Sequence, residues 1–284
     1  GIGFDYKWDM GWMHDTLDYF ATPFGQRPDA YGKIIFSMHY FYNELYLLAL
    51  SHDEVVYGKG SLMGKMPGDY FWKFANLRLL RGYQMAHPGK KLSFMGNEFG
   101  QFTEWDYRKE LDWMLLGYEM HQKMQSYTRE LNRFYLNHAA LWQIDDSWDG
   151  YQWIQPDEQE LSIIAFRRID QAGRELLVIC NFTPVLREDL RLGVPKAGTY
   201  VPIFTSDAVK FGGGGYDADK RFAVVFDWES KTISDNSAET KDDATVLENF
   251  HGFENGAYVR ISLGAGGGAA VITEFNGKPT AETP

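Results

Sequence analysis

A short apolar run that ends in a cluster of ionisable residues is the feature that most constrains this chain. Residues 45–50 (LYLLAL) are apolar, residues 51–54 (SHDE) follow them, and a glycine-rich segment occupies residues 57–62. A buried parallel strand reads as a continuous apolar run and can deliver catalytic side chains at its carboxyl end. The pattern therefore predicts a strand that leads into a site. A solvated turn is the alternative, because His and Asp also cap helices and stabilise turns.

Length and charge exclude several classes of protein. The 284 residues suffice for one large or two ordinary domains with a sizeable core. The net charge of −11 argues against a nucleic-acid partner or an anionic membrane surface, since both require basic patches. No run of about 18 apolar residues occurs, so we predict no membrane span. The single cysteine, Cys180, allows no disulfide within the chain, which is typical of a cytoplasmic protein.

Aromatic residues are abundant, at 16% of the chain. Two interpretations stay open. Aromatic side chains dominate buried area, so they can fill a large core. They can also form a sugar-binding surface, because flat rings stack on the apolar faces of sugars.

The first half of the chain alternates short apolar runs with helical patterns. Asp69 is a predicted N-cap, and the apolar residues Phe71, Phe74, Leu77 and Leu80 follow it at a spacing of three. Residues 92–95 form a predicted buried strand, and a second helical pattern runs from residue 120 to residue 134. A strand–helix rhythm of this kind predicts an α/β fold with parallel strands.

The second half consists of short strand patterns separated by turns. The pattern change lies between residues 137 and 150, and we divide the chain into domains 1–140 and 141–284. An antiparallel β-sandwich is predicted for the second domain. The four glycines at 212–215 are interpreted as a turn, because no phosphate-binding Lys-Ser/Thr pair follows them. Residues 234–245 are polar and charged and are predicted to be a mobile loop. The predicted strands cover residues 161–169, 175–182, 200–204, 222–226, 258–263 and 270–275.

Six stretches together resemble bacterial 1,4-α-glucan (glycogen) branching enzymes, which are members of the α-amylase superfamily. They are residues 3–15 (GFDYKWDMGWMHD), 50–62 (LSHDEVVYGKGSL), 66–69 (MPGD), 74–78 (FANLR), 94–101 (FMGNEFGQ) and 111–113 (LDW). The glycine-rich end of the chain, residues 263–271, departs from the family's pattern. The resemblance implies the C-terminal part, about strands 6–8, of a (β/α)8 TIM barrel, followed by an all-β domain. It also implies that a missing N-terminal portion of the same enzyme is a partner of this chain.

The resemblance further implies a reaction. The family cleaves an α-1,4 bond of a glucan such as glycogen or amylose and transfers the chain to a 6-hydroxyl, which creates an α-1,6 branch without cofactor or metal. Such retaining chemistry needs a nucleophile and a general acid/base about 5 Å apart. Both belong to segments that these residues do not match, so the chain alone is expected to be inactive.

The resemblance assigns roles to a few residues of this chain. Asp53 matches the family's transition-state stabiliser, and His52 matches a residue that contacts a hydroxyl of the same sugar. Trp8 and Trp12 are candidate substrate-stacking residues, with packing beneath the loop as the alternative. For Glu98 and Gln101 we expect structural hydrogen bonds. No metal site is predicted, because the five histidines outside residues 51–54 that we considered lack metal-ligand spacing: His14, His39, His87, His121 and His138.

Two other functions stay open. One is an α-glucan hydrolase of the amylase type from the same superfamily, and the other is a non-catalytic glucan-binding protein. The glycine-rich segment 58–60 looks more like branching enzymes than amylases. Product analysis on amylose separates branching from hydrolysis.

Overall fold

The computed structural model describes residues 3–194, 198–215, 222–227, 232–234, 257–263 and 270–275. Helices and three short strands occupy its first part. They are β1 (Lys7–Trp8), α1 (Met10–Ala21), α2 (Gly32–Ile35), β2 (Tyr46–Leu50), α3 (Leu62–Lys65), α4 (Tyr70–Ala86), β3 (Lys90–Ser93) and α5 (Glu119–Asn137).

The three strands form a parallel sheet in the order β1–β2–β3. Lys7 pairs with Tyr46, and Leu47 pairs with Lys90. Strand β2 lies in the middle, and Leu48, Ala49 and Leu50 are completely buried. The strand predicted from the apolar run at 45–50 is thus confirmed. A strand with neighbours on both edges and helices connecting it to each of them needs apolar side chains on both faces.

Helix α4 begins where the sequence predicts. The carboxylate of Asp69 accepts a hydrogen bond from the backbone N–H of Trp72 (3.1 Å), which satisfies one of the free donors of the first turn. Phe74, Leu77 and Leu80 are buried as expected, but Phe71 is 38% exposed. The apolar face of the helix therefore begins one turn later than the sequence pattern predicts.

Strand β3 differs from its prediction. A buried strand was expected at residues 92–95, whereas β3 covers Lys90–Ser93 and none of its side chains is fully buried. Long lysine side chains can cover apolar surface with their stems while their ammonium groups reach polar partners. Lys90 does so by pairing with Asp145 at 3.1 Å.

The second part of the molecule is all-β and antiparallel. A seven-stranded sheet has the order β10–β9–β8–β12–β6–β5–β4, and β11 pairs with β7 in a second sheet. This arrangement is consistent with the predicted sandwich. The strands are β4 (Tyr151–Glu158), β5 (Ile163–Ile169), β6 (Glu175–Asn181), β7 (Arg187–Val194), β8 (Gly198–Thr205), β9 (Phe222–Asp227), β10 (Thr232–Ser234), β11 (Ala257–Leu263) and β12 (Ala270–Phe275).

The predicted strand pair at the start of the β part is confirmed as the hairpin β5–β6. Ile169 pairs with Glu175, and the turn between them is closed by the N–H of Asp170, which donates to the carbonyl of Arg174 (3.0 Å). Strands β4, β7 and β10 were not predicted. A mobile loop is predicted for residues 234–245, but Ser234 is the last residue of β10, and residues 235–245 lie outside the described residues.

Three buried arginines join the helical part to the β part. Arg27 donates to the carbonyl of Phe182, Arg78 to that of Ser206 (2.8 Å), and Arg168 to that of Ala86 (2.7 Å). Each of the three side chains is at most 1% exposed. A buried guanidinium is costly unless its donors are used, so these bonds fix the two parts against each other. Helix α5 ends at Asn137 and β4 begins at Tyr151, while the domain boundary at residue 140 stays a prediction.

Candidate active site at the carboxyl ends of the parallel strands

The carboxyl ends of β1, β2 and β3 meet at one edge of the sheet because the strands are parallel. The chain segments that leave these ends are tied to β2. Asp9, just after β1, donates its N–H to the carbonyl of Leu47 (2.9 Å), and Phe94, just after β3, donates to that of Leu50 (2.9 Å). The polar cluster that follows β2 therefore has chain on both sides of it.

The residues after β2 form a short 3-10 helix, His52–Glu54, which Ser51 caps. The carboxylate of Glu54 accepts hydrogen bonds from both the backbone N–H and the hydroxyl of Ser51, and the hydroxyl in turn accepts from the N–H of Asp53 (3.1 Å). Glu54 is only 3% exposed. This capping box makes Glu54 a structural residue that holds the turn in shape.

His52 and Asp53 face outwards from the same turn. Their side chains are 49% and 46% exposed, and the Nε2 atom of His52 lies 3.4 Å from Oδ1 of Asp53. The His52 ring also packs at an angle against Phe94, with 5.9 Å between the ring centroids. Glu54 thus stabilises the turn, whereas its two neighbours are accessible.

The glycine-rich segment after this turn folds back towards it. Gly58 and Gly60 have left-handed φ angles of 83° and 69°, which glycine adopts without a steric penalty. Tyr57 also has a positive φ, 57°, which is uncommon for a non-glycine residue. The ammonium group of Lys59 donates to the backbone carbonyl of Asp53 (2.7 Å). The loop is therefore tied to Asp53, the candidate transition-state stabiliser.

The same loop also binds Glu104, which follows β3 in the chain. Its carboxylate accepts from the N–H of Gly60 at 2.8 Å, although the two residues are 44 positions apart. Hydrogen bonds from the backbone of Gly58 and of Gly60 lower the pKa of Glu104 below its ordinary value. The loop backbone thus binds an anion, and the anion is a side chain of the same molecule.

A cleft of about 400 Å³ lies beside the loop, between residues 56–57 and residues 103–109. Two strongly exposed rings line it, Tyr57 (93% exposed) and Tyr107 (79% exposed). The cleft combines flat apolar rings with charged and hydroxyl groups. That combination suits a sugar, which has apolar ring faces and many hydroxyls.

The two candidate stacking tryptophans lie in different environments. Trp8 is 39% exposed at the end of β1. Trp12 lies on α1, is 1% exposed, and stacks on Tyr83 with 6.3 Å between the ring centroids. The prediction that Trp12 stacks on substrate is therefore wrong, because its ring is enclosed by the core and cannot contact a sugar. The packing alternative holds for Trp12.

Gln101 makes a structural hydrogen bond as expected: its side-chain carbonyl accepts from the N–H of Asp112 (3.3 Å). For Glu98 the bond from the hydroxyl of Thr128 (3.0 Å) goes to the backbone carbonyl, so the role of its side chain stays a prediction. The glycines at 212–215 form a turn around Asp207, whose carboxylate accepts from the N–H of Gly214 (2.8 Å). An internal carboxylate thus occupies the position that a phosphate cradle would keep open.

The roles of Lys59, Glu104 and Asp9 were not predicted from the sequence. Asp9 is buried and caps α1 by accepting from the N–H of Trp12 (2.8 Å), and burial raises its pKa. An Asp directly before the apolar residues of α1 is an N-cap signal that could have been read from the sequence. The contact of Glu104 with the glycine-rich loop had no such signal, because the loop follows β2 whereas Glu104 follows β3.

No group of three or more His, Cys, Asp or Glu side chains in the described part of the chain is placed to hold a metal ion. Among the same residues, no helix is both long and apolar enough to cross a membrane.

Comparison with known proteins gives close relatives for most of the chain. The 1,4-alpha-glucan branching enzyme GlgB of Halothermothrix orenii is 53% identical over 216 residues, which is 76% of this chain and 34% of the relative. GlgB of Aquifex aeolicus is 51% identical over 227 residues, 78% of this chain and 36% of the relative. The chain resembles these bacterial branching enzymes, as the sequence motifs indicated, and it spans about a third of their length.

The β part and the fold of the chain also resemble known proteins. Residues 153–247 match the family of the alpha amylase C-terminal all-beta domain. Two solved structures resemble the chain: the alpha-amylase from H. orenii (TM-score 0.54, 14% identity, 96% of this chain and 49% of that one) and AmyP in complex with maltose (TM-score 0.61, 12% identity, 98% of this chain and 51% of that one). At such low identities the likeness establishes an α-amylase-type fold and nothing about the reaction.

Proposed function

We propose that this chain, which resembles the bacterial 1,4-α-glucan branching enzymes, acts as part of such an enzyme. The reaction is cleavage of an α-1,4 bond in a glucan and transfer of the released chain to a 6-hydroxyl. The identity of about 50% with named branching enzymes supports this reaction. In the same proposal, strands β1, β2 and β3 are the sixth to eighth strands of a (β/α)8 barrel, whose active site lies at the carboxyl ends of its strands.

Asp53 is the proposed transition-state stabiliser. The observation that carries this role is the division of labour in the turn after β2: Glu54 is buried in the capping box, whereas the carboxylate of Asp53 is accessible at the carboxyl edge of the sheet. An oxocarbenium-like transition state flattens the sugar ring, and bonds to hydroxyls that strengthen on flattening stabilise it selectively. His52, 3.4 Å from Asp53, contacts a hydroxyl of the same sugar.

The nucleophile and the general acid/base are proposed to come from polypeptide other than these residues. Their partner would be the remainder of the enzyme, which joins the sheet beside β1. Strand β1 is one of the two edge strands of the described sheet and pairs only with β2 there. Phe4 and Tyr6 lie just before β1 and are 81% and 45% exposed. The proposed additional barrel strands would cover them.

Product analysis tests the proposed function. The complete protein, meaning these 284 residues together with the part that the proposal requires, is incubated with amylose. We expect new α-1,6 linkages, detected by proton NMR, with no net release of short oligosaccharides. Release of free oligosaccharides without new branches would contradict the proposal and indicate an amylase-type hydrolase. Glucan binding without turnover would also contradict it and indicate a binding protein.

A further inference from the structure

We propose that Glu104 is a positioning residue for Asp53, acting through the glycine loop that binds its carboxylate. The inference rests on the proposed function, because it concerns how the proposed catalytic carboxylate is held. It adds a residue from a different strand connection to the site. The loop consisting of residues 57–60 is called the clasp loop below.

The first contact is between Glu104 and the clasp loop. The N–H of Gly60 donates to Oε2 of Glu104 at 2.8 Å. Tyr57, Gly58 and Gly60 all have left-handed φ angles, and that of Tyr57 is uncommon for a residue other than glycine. A charged acceptor makes stronger hydrogen bonds than a neutral one, so the carboxylate helps to hold the loop in this conformation.

The second contact is between the clasp loop and Asp53. The Nζ atom of Lys59 donates to the backbone carbonyl of Asp53 (2.7 Å). The carbonyl of Lys59 itself accepts from the ammonium group of Lys65, which fixes the middle of the loop. A displacement of the loop therefore changes the peptide that carries the Asp53 side chain.

Two further bonds hold Glu104 in place relative to β2. The N–H of Trp105 donates to the carbonyl of Val55 (3.0 Å), and the hydroxyl of Ser61 donates to the carbonyl of Phe102 (2.8 Å). The segments after β2 and after β3 are thus joined on both sides of the Glu104 contact. Of the three bonds that join these segments, only the one between Glu104 and Gly60 involves a charged group. Removing the charge of Glu104 therefore weakens this bond and leaves the Trp105–Val55 and Ser61–Phe102 bonds in place.

The test compares Glu104→Gln with Glu110→Gln in the complete protein. Glu110 is an exposed acid in the same segment, so its variant removes the same charge without touching the clasp loop. Since a misplacement of about 1 Å can cost about a hundredfold in rate, we expect Glu104→Gln to lower kcat by roughly tenfold to a hundredfold, with KM within about twofold of wild type. Glu104→Asp keeps the charge and is expected to recover part of kcat. Glu110→Gln is expected to match wild type.

A second measurement does not depend on activity. Amide hydrogen exchange of Gly58, Lys59 and Gly60 is expected to speed up in Glu104→Gln and to stay unchanged in Glu110→Gln. If the wild-type protein shows no branching activity, the proposed function is wrong. The exchange result still decides, independently of activity, whether Glu104 holds the loop. Unchanged exchange, or a kcat of Glu104→Gln at half the wild-type value or more, overturns the proposal.

A third variant covers the case in which Glu104→Gln does not fold. Lys59→Met leaves the carboxylate contact in place but removes the bond to the carbonyl of Asp53. We expect the same pattern, a lower kcat at nearly unchanged KM. A Lys59→Met protein with wild-type kcat contradicts the proposed route from the clasp loop to Asp53.

Discussion

The guanidinium of Arg27 donates a hydrogen bond to the backbone carbonyl of Phe182, 155 positions further along the chain. The same guanidinium also donates to the carbonyl of Phe20 (2.9 Å) and to the side-chain oxygen of Asn76 (2.8 Å). Burial lowers its pKa to about 10. One side chain thus connects three segments of the helical part to the residue that follows β6 in the β part.

Replacement of Arg27 by methionine is expected to destabilise the protein. Methionine fills much of the volume but leaves three buried acceptors without this donor, and each unsatisfied group costs about 1–3 kcal/mol. We expect the free energy of unfolding to fall by about 3 kcal/mol, measured by urea denaturation. Arg129→Met on the exposed face of α5 is the matched control, with an expected change below about 0.5 kcal/mol. Equal stability of the two variants would contradict the role of Arg27.

The buried imidazole of His87 predicts a pH dependence of stability. Its ring contacts the Ser37 hydroxyl at 3.1 Å and the Pro88 carbonyl at 2.9 Å, and burial lowers its pKa to about 3. Lys91 and Arg168 disfavour its protonation further, while Asp145 opposes them.

The direction of the effect follows from the two protonation states. The unfolded chain binds a proton on this histidine below pH about 6.5, whereas the folded chain stays neutral down to pH about 3. Stability therefore falls as the pH is lowered from 6.5, with a slope of up to about 1.4 kcal/mol per pH unit from this group. The slope between pH 6 and pH 5 should be shallower in His87→Gln. The exposed His39→Gln should retain the wild-type slope, and a His87→Gln slope equal to wild type would refute this explanation.

The two tryptophans should separate stability from glucan binding. Trp12→Ala removes a fully enclosed ring and is expected to cost about 4 kcal/mol of unfolding free energy. Trp8→Ala changes an exposed ring, so we expect less than about 0.5 kcal/mol in stability. If Trp8 stacks on substrate, the KM of the Trp8→Ala variant for amylose should be about fivefold higher than that of wild type, equivalent to about 1 kcal/mol. An unchanged KM would show that Trp8 is not a stacking residue.

Features set by local sequence were predictable. The apolar run at residues 45–50 gave β2, the cap at Asp69 gave α4, and the turn at residues 170–174 gave the β5–β6 hairpin. Each depends on neighbouring residues only: a pattern of burial, a capping side chain or a turn. The position of β3 was less predictable, because its lysines do not follow a simple alternation of apolar and polar residues.

Features set by distant contacts were not predictable. Trp8 and Trp12 have the same residue type, and Trp12 is buried against Tyr83 and His87, which are distant in the sequence. The same holds for Glu104, since its partners in the clasp loop follow a different strand. Motif resemblance identified Asp53 but carried no information on what holds it in place.

The most direct test of the account is the rate of branch formation by Asp53→Asn in the complete protein. The variant keeps the size and loses the charge of the carboxylate. Loss of one strong transition-state contact typically costs about a hundredfold to a thousandfold, so the account predicts that the rate of α-1,6 linkage formation on amylose falls by about that factor with the fold intact. A variant that forms branches at a rate near that of wild type would contradict the assignment of Asp53 and, with it, the proposed active site.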